Sequence, residues 1–279
     1  MNHQSTTAIS KNQAILAMTV GVISTLTMAS TVSAATLKVT VENVAPQEGT
    51  VLTPLWVGFH NGTFDIFNLE QPASNSLERL AEDGNTAPIA SAFLASGAGQ
   101  VEGTLLGVGI SPTSPPLIPP GTLASKTFEV DGTLASNRYF SYGAMVVPSN
   151  DAFIANDNPL AFQIFDDVGN FLGADFIVAG NRVWDAGTEV NDEIPENTAL
   201  LGQTVGNTGV TENGVVRQHP GFIEGGNILS AFGNADFTTS DYQVARIKIQ
   251  MVPEPAITAG LLITAGLLLL GRRFRCEQP

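Results

Sequence analysis

Two runs of strict alternation frame the body of this chain. Thr36–Val44 sets Leu37, Val39 and Val41 against Lys38, Thr40 and Glu42, and Tyr242–Met251 sets Ala245, Ile247 and Ile249 against Arg246 and Lys248. A period of two sends successive side chains to opposite faces, so each run reads as a strand with one buried and one wet face. Such strands belong to antiparallel sheets, and their apolar face needs a second layer to cover it. Between them, Pro54–His60, Lys126–Asp131, Tyr139–Val147, Leu160–Phe165 and Ala174–Ala179 read as further strands. They are punctuated by turn dipeptides such as Asn61-Gly62 and Asp131-Gly132. The expectation is an all-β chain, an antiparallel β-sandwich of about eight strands with one or two short peripheral helices.

The clearest helix is Asn75–Glu82: Asn75 is placed to cap it, Glu78 to close a capping box, and Gly84 to end it. Ala87–Leu94 reads as a second short helix. Residues 107–121 form a Pro-rich extended segment, a stiff connection or a ligand segment, and residues 190–221 an acidic Gly/Asn-rich loop. No internal repeat or shift of composition divides residues 35–251, so they read as one domain.

Net charge is −14, which excludes nucleic acid as a partner, since a phosphate backbone is bound by neutralising it with Lys and Arg. The one cysteine, Cys276, lies in the C-terminal tail, so the body uses neither disulfides nor Cys metal sites. No G-x-S-x-G, H-E-x-x-H or P-loop occurs, and His60 and His219 read as structural hydrogen-bonding residues. An Asp/Glu pair acting on polysaccharide needs no histidine. That hydrolase reading stays open as the alternative, with Trp56 and Trp184 as the available sugar-stacking rings.

Two loops carry the carboxylates of interest. An apolar run ending in Met145, Val146 and Val147 stops at Pro148, which has no N–H to donate, and is followed by Ser149, Asn150 and Asp151. The second loop, W-D-A-G-T-E from Trp184, places Asp185 and Glu189 on either side of a small-residue bend. Loop carboxylates that converge suit a hard cation such as Ca²⁺, although the spacing is not that of an EF-hand.

These residues carry a resemblance. P-S-N-D at 148–151, W-D-A-G-T-E at 184–189 and Q-V-A-R-I-K-I at 243–249 occur in the order found in the spondin domain of extracellular matrix proteins. W-V-G-F-H-N-G-T-F from Trp56 and S-N-S-L-E-R-L-A-E-D-G at 74–84 match too. The resemblance spans about residues 36–250 and implies a C2-like β-sandwich without catalytic residues. It also implies Ca²⁺ bound through Asp151, Asp185 and Glu189, with Glu189 standing where animal members have Asp. The function it implies is a binding or adhesion module for an extracellular polymer or surface protein.

Both ends read as addresses. Residues 1–34 have an apolar run from Ala14 to Met28 and V-S-A at 32–34, a signal peptide cleaved before Ala35. Residues 252–279 join V-P-E-P to an apolar stretch, Ala256–Gly271, and a basic R-R-F-R end. That tail resembles the PEP-CTERM sorting signal. It implies a short transmembrane helix, transient inner-membrane anchoring, cleavage by an exosortase-type enzyme, and delivery to the surface or matrix of a Gram-negative bacterium.

Overall fold

The computed structural model describes residues 34–111 and 114–253. The expected signal peptide (apart from Ala34) and the expected transmembrane helix with its basic tail lie outside those residues. Among the described residues, no helix is long and apolar enough to cross a membrane.

The elements run β1 (Ala35–Asn43), β2 (Val51–Leu52), β3 (Leu55–His60), α1 (Asn75–Asp83), α2 (Ala87–Ser96), β4 (Val101–Leu105) and β5 (Leu123–Val130). They continue with β6 (Tyr139–Val147), β7 (Ala152–Ala155), β8 (Ala174–Ala179), β9 (Val183–Asp185), β10 (Arg217–Gln218), α3 (Asn227–Ala231) and β11 (Gln243–Met251). All strand pairs are antiparallel. One sheet has the order β5-β1-β11-β8; the other has β10-β9-β7-β6-β3-β4, with β2 paired to β6 beyond that path. The protein is an all-β sandwich.

The alternating runs at the two ends of the body pair with each other. Leu37 lies opposite Met251, Val39 opposite Ile249 and Val41 opposite Ile247, so β1 and β11 form the centre of the first sheet. Their inward residues meet Phe59, Phe140, Ala144, Val146 and Ile154 of the second sheet in the principal core. Each large apolar side chain fully buried there contributes on the order of 1.5–3 kcal/mol. A bulge between Gln243 and Ala245 keeps Val244 buried alongside Ala245.

β3 and most of β6 are buried on both faces, which is why L-W-V-G-F-H shows no alternation. The outer face of the second sheet is covered by α1 and α2. Leu77, Leu80 and Phe93 pack there on Trp56, Phe153 and Trp184 in a second core. The helices are therefore a third layer over the larger sheet.

Two local expectations are corrected. Ser74, not Asn75, caps α1: its Oγ accepts from Leu77 N at 3.3 Å. Glu78 thus falls one place beyond the capping-box position and pairs with Arg79 instead. Leu160–Phe165 is not a strand. An Asp166–Asn170 turn folds the chain back at once, leaving isolated bridges from Tyr139 to Gln163 and from Phe165 to Phe171.

Candidate metal centre

The β6–β7 connection and the turn after β9 are brought together by register. Ala152 pairs with Asp185 across β7 and β9, and Arg217 pairs with Asp185 from β10 on the other side. Asp151, one residue before β7, therefore lies beside Asp185 at the end of β9, and the Asp151 carbonyl accepts from Ala186 N at 3.2 Å.

The P-S-N-D segment builds its own turn. Ser149 Oγ donates to the Val146 carbonyl and accepts from Ala152 N at 3.1 Å, and Asn150 Nδ2 donates to the Val190 carbonyl at 2.7 Å. Asp151, fully buried, then reaches the second loop. Its Oδ2 accepts from Thr188 N at 2.9 Å, Thr188 Oγ1 at 3.2 Å and Glu189 N at 3.1 Å. The D-A-G-T bend is held by Asp185 Oδ1, which accepts from Gly187 N at 2.7 Å. Gly187 needs its left-handed φ of +67°, and a Cβ there would lie 2.6 Å from the Val215 carbonyl oxygen. Glu189, also buried, accepts from Gly209 N at 2.9 Å through Oε1.

The three acidic residues named from the sequence are thus neighbours, but they are not equivalent. Asp185 is charge-balanced: its Oδ2 accepts from Asn191 Nδ2 at 2.9 Å and Arg217 Nε at 3.1 Å. Among the described residues neither Asp151 nor Glu189 forms an ion pair, although the Arg79 charge acts on Glu189 in the lowering direction. Asp151 Oδ1 and Glu189 Oε2 are buried without any hydrogen-bond partner. Burial, and after it the Asp185 charge, pushes the Asp151 carboxyl up to about 7. Burial, then the charges of Glu82 and Asp151, pushes Glu189 up to about 7 as well.

Sequence reasoning missed Glu82 and Arg217. Glu82 is buried on α1 and ion-paired to Arg79, and burial raises its pKa. Helical spacing groups Glu82 with Glu78 and Arg79, away from Leu77, Leu80 and Ala81, so its burial left no signal in the sequence. Arg217 gave none, because only the β9–β10 pairing brings it to Asp185.

The donor set of the two orphaned oxygens suits a divalent cation: a buried carboxylate left with one unpartnered oxygen and no ion pair is costly until a positive charge joins it. Asp185 fits less well, since both its oxygens are engaged. Among the described residues, no three His, Cys, Asp or Glu side chains are placed to hold a metal ion together as they stand. The site can be probed through Gly209, where an added Cβ would sit 2.3 Å from the Glu189 carboxylate. Gly209→Ala should displace that carboxylate and, on the calcium reading proposed below, weaken calcium binding by about tenfold or more, with near-parental circular dichroism. Isothermal titration of both proteins with CaCl₂ measures it.

Neither a scan against protein-family models nor a comparison with curated proteins finds a match for this chain.

Proposed function

We propose that the protein is an exported binding module of the cell surface or extracellular matrix, whose loops are fixed by a calcium ion. The observation that carries the reading is the pair of buried, unpartnered oxygens, Asp151 Oδ1 and Glu189 Oε2. Each belongs to a carboxyl that burial holds near pH 7 rather than in the usual carboxylate range. The spondin resemblance supports it, because two of the motifs that carry that resemblance, P-S-N-D and W-D-A-G-T-E, build this loop pair. Asp151 and Glu189 would hold the ion. Asp185 would join them by releasing Asn191 or Arg217, or would act from one step away by positioning the D-A-G-T bend. The ion supplies positive charge and tolerates irregular oxygen geometry.

The hydrolase reading is less well supported. Asp151 is fully buried and Glu189 nearly so, so a polysaccharide chain has no path to the pair. The exported location and the exosortase-type processing remain proposals from the two terminal segments.

Retention on extracellular polymer from a producing bacterium, with and without chelator, tests the function. The proposal expects calcium-dependent retention without release of reducing ends. Retention indifferent to chelator would remove calcium from the reading, and release of reducing ends abolished by Asp151→Asn would favour the hydrolase.

A further inference from the structure

Away from the carboxylate pair, a second concavity of about 370 Å³ opens between the two edge strands β8 and β10. Its wall is completed by the segment leading into β11. Gly180 sits at its floor, where a Cβ would lie 1.9 Å from the Phe237 carbonyl oxygen, so the two walls approach as closely as backbone allows. Around it stand the amides of Asn181 and Gln218, the Ser240 hydroxyl and the Asp241 carboxylate, all exposed. None of the four makes a side-chain hydrogen bond within the protein.

His219 adds a fifth unmatched group. Its Nδ1 accepts from Gly221 N at 3.0 Å, so the neutral ring carries its proton on Nε2. Burial lowers the His219 pKa to about 4, which keeps the ring neutral. That Nε2–H is buried with no acceptor.

We infer that this concavity is a binding site for a neutral sugar residue, free or at the end of a polysaccharide. Sugar hydroxyls donate and accept at once, and the lining offers amides, a hydroxyl and a carboxylate for donors and acceptors in turn. No Lys or Arg lines the cavity, which disfavours phosphorylated and carboxylated ligands, as does the protein's overall negative charge. The volume lies at the low end for ligand sites, which matches a single sugar ring. The inference deepens the binding-module reading, on which it rests for its natural ligand.

The test uses the full chain with glucose, galactose, mannose and N-acetylglucosamine as probes, followed by saturation-transfer NMR. One or more should bind, and Asn181→Ala with Gln218→Ala should weaken that binding by about tenfold or more. Both positions are exposed, so fold is retained and circular dichroism checks it. No binding by any of the four sugars, or binding unchanged in the double variant, overturns the site. Polymer retention that survives the double variant also overturns it, while leaving the binding-module reading intact. Sugar binding lost in the double variant, by a protein that no polymer retains, supports the site and counts against that reading.

Discussion

At pH 8.5 and without calcium, Asp151→Asn should melt higher than the parent protein. A buried carboxyl whose folded pKa is raised binds its proton more tightly in the folded state. Its penalty is therefore full above about pH 7 and is relieved as pH falls through 7 toward the unfolded value of 3.8. That rise corresponds to roughly 4 kcal/mol of destabilisation in the ionised form. Asparagine keeps an oxygen for the Thr188 and Glu189 donors now served by Oδ2, and its Nδ2 replaces the orphaned Oδ1 without charge. Even half of the penalty recovered would raise the melting temperature by about 4–8 °C. Saturating calcium should reverse the order, because it stabilises only the parent. Melting curves at pH 8.5 with EDTA and with CaCl₂ measure both. A variant less stable than the parent in EDTA would show that the Asp151 charge is already compensated.

Calcium uptake should also expel protons. With Asp151 and Glu189 both titrating near 7, each is about half protonated at pH 7, and the ion requires both ionised. Roughly one proton should leave per ion at pH 7, about two near pH 5.5, and almost none at pH 8.5. Apparent affinity should accordingly rise steeply between pH 6 and 8. Titration calorimetry in buffers of different ionisation enthalpy counts the protons. An enthalpy independent of buffer at pH 7 would place the ion elsewhere.

How much of this was legible depended on whether the signal was local. The alternation of β1 and β11 was readable because each strand has one wet face, and the sandwich followed from it. β3 hid its period because helices cover its outer face, a fact set by residues well downstream. Strands as short as β2, β9 and β10 have no period of their own and exist through their neighbours. Turn chemistry marks the loops of Asp151, Asp185 and Glu189, a proline before one and a small-residue bend between the others, but it was the spondin resemblance that joined the three into a ligand set. What turn chemistry could not show is that Asp185 is neutralised by Arg217, 32 residues away. Nor could it show that Glu82, buried on α1, adds its charge beside Glu189. Leu160–Phe165 misled in the opposite way. Ile164 and Phe165 are buried, but Leu160 is exposed and a turn follows too soon for a ladder.

The pairing of β1 with β11 has a consequence for how the molecule is made and loaded. The centre of the first sheet needs both the earliest and the last strand of the body, with Leu37 opposite Met251 and Val252 N bonded to the Thr36 carbonyl. A chain emerging from its N-terminal side holds β1 without its central neighbour until some two hundred residues have followed. Closure of the sandwich is thus a late event in synthesis. Once closed, residues 36 and 252 lie side by side. Tension applied between them would peel the ladder pair by pair from that end, instead of shearing all its bonds together.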